Sequence, residues 1–125
     1  MKLQVALLGG GSWGTTVAAM VSRNAPITLW ARDAATVDDI NHNRCNSRYL
    51  PDIVLPAGLR ATQDLGAAVG SADVVVMGVP SHSFRAVLEE VAKRIRPWVP
   101  VISLTKGLEL ASGKRMSELD RKSVV

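Results

Sequence analysis

Gly9, Gly11 and Gly14 stand at G-x-G-x-x-G spacing directly after the apolar stretch of residues 3–8. Glycines so spaced suit the capture of a dinucleotide pyrophosphate. Gly9 would turn the chain out of a strand, Gly11 would let the backbone approach the phosphates, and Gly14 would let a helix sit close to the sheet. Glycine-rich turns are common in loops, so the spacing acquires meaning only if a strand precedes it and a helix comes after it.

Further candidates lie at the end of the second apolar segment, which reads Trp30-Ala31-Arg32-Asp33. NAD-binding folds usually place a carboxylate there to bind the adenosine ribose hydroxyls. Two registers are open. If Ala31 takes the acidic position, the carboxylate is missing, and Arg32 meets adenine or a 2′-phosphate. If the register lies two residues later, Asp33 restores the NAD pattern. The Arg32 reading is preferred because Asp33 also suits a helix cap, so NAD or NADP is expected, with NADPH favoured. Lys106 comes after another apolar run and precedes Gly107, which would place an ammonium at the cleft mouth to attract an anionic substrate. His82 reads as a polar helix-start residue, His42 as structural, and Cys45 as a bystander thiol among polar neighbours. Trp13, inside the glycine turn, would shield the pyrophosphate or pack on the surface.

The elements that must hold these residues alternate along the chain. Residues 3–8 read as a buried strand, and residues 12–23 as a helix with Val17, Met20 and Val21 on one face. A strand over 27–31 completes a βαβ unit, with the glycines at the strand-to-helix junction that an anion site requires. A helix over 33–43 comes next, capped by Asp33 with Val37 and Ile40 inward. After a loop come a short strand over 59–62 and a brief helix over 64–69. The valine-rich run 72–80 reads as a central strand covered on both faces. Ser81 or Ser83 would cap a helix reaching Arg96, with Phe84, Val87, Leu88, Val91 and Ile95 on its buried face, and a fifth strand spans 99–104. Such alternation predicts a doubly wound, right-handed parallel sheet, with ligands beyond the carboxyl ends of its strands. The glycine turn, Arg32, Val79-Pro80-Ser81 and Lys106 all fall there.

Composition narrows the function classes. Hydrophobic residues make up 47% and charged residues 21% of the 125, ordinary values for one globular domain rather than a disordered chain. The apolar runs are too short to cross a bilayer, so no membrane insertion is expected. One cysteine allows no intrachain disulfide and fits a reducing, cytoplasmic setting. The net charge is +4, yet the basic residues are scattered or gathered in the tail at Lys114, Arg115, Arg121 and Lys122. No aromatic-interleaved basic platform appears, which speaks against nucleic acid.

In combination, Gly9-Gly10-Gly11-Ser12-Trp13-Gly14-Thr15, Leu29-Trp30-Ala31-Arg32, Asn46-Ser47-Arg48-Tyr49-Leu50-Pro51, Val79-Pro80-Ser81 and Lys106-Gly107-Leu108-Glu109 resemble the bacterial-type NAD(P)-dependent glycerol-3-phosphate dehydrogenases over residues 3–109. The resemblance implies an α/β Rossmann fold and an oxidoreductase that interconverts dihydroxyacetone phosphate and sn-glycerol 3-phosphate for phospholipid synthesis. It implies that Ser12, Trp13, Arg32 and Tyr49 join the glycines in the dinucleotide site, and that Lys106 contacts both cofactor and substrate. It is compatible with a homodimer of the full-length enzyme. Family members continue into an α-helical substrate domain that carries the catalytic lysine. Residues 1–110 are therefore read as the NAD(P)-binding domain and 111–125 as a tail, with no catalytic residue expected in this chain and almost no turnover from it alone. Gly10 replaces the alanine common in the family, a mild change, and residues 118–125 do not resemble it. A stand-alone nucleotide-binding module or another hydroxyacid or hydroxyacyl dehydrogenase are the alternatives. Lys106-Gly107-Leu108-Glu109 argues against the module, which has no evident need of a cation at the nicotinamide end.

Overall fold

The structure, a computed structural model, describes residues 3–104. Five strands, β1 (Val5–Leu8), β2 (Ile27–Trp30), β3 (Leu59–Thr62), β4 (Val74–Met77) and β5 (Val101–Ser103), form one parallel sheet in the order β3-β2-β1-β4-β5. Leu7 of β1 pairs in register with Leu29 on one side and Val76 on the other. The connections are α1 (Ser12–Ser22), α2 (Ala34–Asp38) with a π-helical turn at Asp39–Asn43, α3 (Leu65–Gly70) and α4 (Ser81–Arg94). The doubly wound sheet expected from the alternation is the one observed.

Successive side chains on a strand face opposite ways, and both faces of this sheet are covered. Leu7, Leu29 and Val76 pack with Ala18 of α1 and Ile40 of the π-helical turn. Leu8, Val75 and Met77 pack with Phe84, Val87 and Val91 of α4. That two-sided burial is why the valine run shows no polar alternation. Phe84 is fully buried, and truncating such a side chain to alanine costs about 3–5 kcal/mol.

Several boundaries differ from the sequence reading, each for a local reason. β1 starts at Val5 because the Gln4 N–H donates to an Asp73 carboxylate oxygen at 2.8 Å, where a side chain replaces the ladder. The buried residues of α1 are Gly14, Thr15 and Ala18, whereas Met20 is 61% exposed and Val17 and Val21 only flank the core. Small residues bring this helix close to the sheet, so its inner face carries little bulk. α4 is preceded by Pro80, and neither the Ser81 nor the Ser83 hydroxyl caps it. The segment after β2 keeps its Asp33 cap but widens into the π-helical turn. There Asn41 makes two hydrogen bonds to the backbone of Ala61, at 2.9 and 2.8 Å, satisfying the outer edge of β3. No helix among the described residues is long and apolar enough to cross a membrane.

A Cβ on Gly14 would lie 2.5 Å from the Gly9 carbonyl oxygen and 3.2 Å from Leu7 Cδ2. Gly14→Ala is therefore expected to destabilise the fold by about 2–3 kcal/mol, read by denaturant unfolding. An unchanged midpoint would show that α1 does not need this approach.

Candidate functional site

The chain leaves β1 toward β2 and leaves β4 toward β5, on opposite sides of the sheet centre. A crevice must open beyond the carboxyl ends of β1 and β4, the usual ligand position in such sheets. It is bounded by the two backbones that continue from these strands. Gly9 has φ +128°, and a Cβ on it would stand 2.6 Å from the Gly78 carbonyl oxygen, so glycine is required there. The cleft holds about 320 Å³ and is lined by residues 9–11, residues 30–33 after β2, Thr36, Tyr49, residues 78–80 and Ser83.

Among the described residues the four α-helices begin in two different ways. Asp33 caps α2 by accepting from the Ala35 N–H at 3.1 Å, and Asp64 caps α3 by accepting from the Ala67 N–H at 3.1 Å. α1 and α4, which come after the strands flanking the crevice, have no side-chain cap and no acid in their first turns. Their first amides and positive dipole ends therefore suit an anion brought by a ligand. Gly11 immediately precedes α1, and a Cβ there would meet nothing within 4 Å. The turn thus offers bare backbone to the cleft, a cradle that fits a pyrophosphate.

On the β2 side, Arg32 lies at the rim with its guanidinium 5.7 Å from the centre of the Trp30 ring. Gln63 braces both, accepting from Trp30 Nε1 at 2.9 Å and donating to the Arg32 carbonyl at 2.8 Å. The Asp33 carboxylate is engaged in its cap, accepts from Thr36 Oγ1 at 2.9 Å, and lies 3.5 Å from Arg48 Nη1. The Thr36 hydroxyl first, then the Ala35 amide, hold this carboxyl below its ordinary 3.8. Arg48 also stacks over Tyr49 at 5.1 Å. Nearby, Asp39 accepts from the Ser47 N–H at 2.8 Å and from Asn43 Nδ2 at 2.9 Å, and these bonds lower its carboxyl too.

Of the residues singled out in the sequence, Gly9, Gly11, Arg32 and Tyr49 meet at this cleft. Gly14 is buried beneath the turn, packing α1 on the sheet. Ser12 and Trp13 open α1 exposed, Trp13 at 62%, beside the cleft lining rather than in it. Lys106 lies outside the described residues. His82 is exposed, and His42 Nδ1 lies 3.1 Å from the Asp38 carbonyl oxygen. Cys45 Sγ lies 3.4 Å from Ser47 Oγ. At the head of α4 the cleft takes Ser83 rather than Ser81. Thr36 was also missed, although its place three residues after the Asp33 cap is a readable signal. Asn46, in sequence only the first residue of the segment that leads to Tyr49-Leu50-Pro51, is 1% exposed and bonds directly to the glycine turn. Gly10 is not a neutral position either, since a Cβ there would stand 2.9 Å from Ala31 Cβ.

A parallel sheet with this switch point and an uncapped glycine turn defines a dinucleotide-binding α/β domain of the Rossmann class. The family model described as NAD-dependent glycerol-3-phosphate dehydrogenase N-terminus matches residues 4–124, and the chain belongs to that family. It is 71% identical over 119 residues to glycerol-3-phosphate dehydrogenase [NAD(P)+] 2 of Sphingopyxis alaskensis, covering 95% of this chain and 36% of that protein. The solved glycerol-3-phosphate dehydrogenase of Coxiella burnetii superposes with a TM-score of 0.85 at 32% identity, over 94% of this chain and 36% of that one. That of Saccharomyces cerevisiae gives 0.87 at 26% identity, over 98% and 40%. The chain spans about a third of the length of the curated relatives it matches.

Asp33 and Asp39 have folded values below the ordinary 3.8, so their contribution to stability is complete well above that value and fades as pH falls through their lowered ones. Protection factors of the Ala35 and Ser47 amides should therefore hold at neutral pH and drop as the pH falls through the lowered values, before the sheet opens. Asp39→Asn should remove the acid sensitivity at Ser47 alone. Unchanged protection of both amides in acid would contradict the assignment.

Proposed function

We propose that this chain is the cofactor-binding part of an enzyme that interconverts dihydroxyacetone phosphate and sn-glycerol 3-phosphate with NAD(P)H. The observation that carries the reading is the pair of uncapped helix N-termini facing one cleft beside a glycine turn that leaves its backbone bare. In this reading Gly9, Gly11 and the first turn of α1, with Ser12 and Trp13, hold the pyrophosphate, and Gly14 sets the helix close enough to do so. Arg32 and Tyr49 flank the adenosine end. Ser83 and residues 78–80 border the nicotinamide end, where Lys106 draws in the substrate phosphate. When bound, the cofactor supplies or accepts a hydride; the chain's own work is to bind it, orient it and keep water from that end. Residues 1–110 are assigned to the binding domain in this reading. The relatives' greater length supports placing the proton-transfer groups outside this chain. A cytoplasmic setting and homodimer formation belong to the same reading.

Engagement of Asp33 in its cap favours Arg32 as the residue that selects between cofactors. Arg32→Ala should raise the Kd for NADPH about tenfold and that for NADH less than about twofold in a fluorescence titration, the size of one lost charged hydrogen bond. Equal effects on both would sink the NADPH preference. Gly11→Ala should leave stability within about 1 kcal/mol, since the space is open, yet weaken both cofactors about tenfold or more. For the reaction, a full-length form should reduce dihydroxyacetone phosphate in preference to other ketones and hydroxyacyl substrates. Preference for another ketone would replace the substrate assignment while leaving the cofactor site intact.

A further inference from the structure

On the reading that the glycine turn holds a pyrophosphate, we propose that Asn46 is a positioning residue that locks the Gly10–Gly11 peptide with its N–H toward the phosphates. Asn46 is 1% exposed, and its Nδ2 donates to the Gly10 carbonyl at 2.9 Å and to Thr15 Oγ1 at 2.8 Å. Thr15 is fully buried, and its hydroxyl donates to the same carbonyl at 3.4 Å. Two side chains thus clasp one carbonyl on the inner side of the turn. In a trans peptide the carbonyl and the next N–H point in opposite directions. Holding the Gly10 oxygen inward sends the Gly11 N–H outward, to the cleft that residues 9–11 line.

The clasp is needed because the peptide joins two glycines. Flipping it changes only ψ of Gly10 and φ of Gly11, moving the latter from −74° into the positive region that glycine alone adopts readily. A flipped peptide would aim a carbonyl oxygen at the phosphates instead of a donor. The side chain is not there for burial, since Asn46 Oδ1 is buried with no hydrogen-bond partner among the described residues, a cost that an apolar residue would avoid. What Asn46 contributes is its donor. Its own carbonyl accepts from the Leu50 N–H at 2.7 Å, closing a short loop that carries Tyr49 to the cleft. One residue therefore fixes both the donor turn and the aromatic side chain opposite.

The test compares ADP-ribose, which contains the pyrophosphate, with adenosine 2′-monophosphate, which lacks it, on the full chain by calorimetric titration. Asn46→Ala should weaken ADP-ribose about tenfold and adenosine 2′-monophosphate less than about twofold. In isotope-labelled protein the Gly11 amide resonance should move downfield with ADP-ribose in the unmutated chain and stay in place in Asn46→Ala. If Asn46→Ala does not fold, Thr15→Val carries the same comparison, with an expected loss of about threefold confined to ADP-ribose. Equal losses for the two ligands, or none, overturn the lock and leave the cofactor reading standing. An unmutated chain that binds neither ligand overturns that reading, and the lock with it.

Discussion

The backbone of Gly9 lies against that of Gly78, so close that a Cβ on Gly9 would stand 2.6 Å from the Gly78 carbonyl oxygen. This contact sits where the chain leaves the two central strands in opposite directions. Hydrogen bonds on either side fasten it: Gly9 N–H donates to the Trp30 carbonyl at 2.8 Å, and Gly78 N–H to the Leu8 carbonyl at 2.7 Å. The ladder therefore runs without a break to the very edge of the crevice, and the turn emerges from a rigid base. Gly14 extends the same constraint into α1, whose first turn rests on the Gly9 carbonyl. A bulkier residue at either position would lift the helix away, and its free amides with it.

How the helices begin divides labour across this edge. α2 and α3 satisfy their own first amides with Asp33 and Asp64. α1 and α4 leave that satisfaction to a ligand or to water, and they are the two that come after β1 and β4. Acidic caps on those helices would neutralise the field that attracts a phosphate. Asp33 is engaged in capping α2 and accepts from Thr36 Oγ1, while Arg32 beside it lines the same cleft.

The features legible in the sequence were those set by local rules. The limits of β3 come from periodicity and the Asp33 cap from spacing, and both are found as read, whereas α4 turns Phe84, Val87 and Val91 inward as expected but ends at Arg94, with Leu88 half-buried and Ile95 buried just past the helix end. The glycine spacing gave the turn, and four expected site residues meet at one cleft. The face of α1 was misread because Val17, Met20 and Val21 carry the apolar bulk, whereas close packing selects Gly14, Thr15 and Ala18. Asn46 had no local signal. Its partners, Gly10 and Thr15, lie 36 and 31 residues earlier, and in sequence it sits among polar neighbours like any loop asparagine. Burial by tertiary contact is what separates it from them, and periodicity cannot report that.

The same long-range coupling gives Gly10 its meaning. The Cα of residue 10 faces the side chain of Ala31, and Ala31 is buried at the point where β2 delivers Arg32 to the rim. An added methyl at residue 10 would press on Ala31 Cβ at 2.9 Å and on Thr36 Cγ2 at 3.5 Å. Both contacts belong to the segment that carries Arg32 and Asp33. Glycine here leaves the space that Ala31 fills, so the volumes at residues 10 and 31 are set jointly. The consequence is backbone freedom at three successive glycines, residues 9–11, which a β-carbon at residue 10 would have interrupted. A turn that gains space in this way needs an external hold on its peptide, and the buried amide of Asn46 is where the structure supplies one.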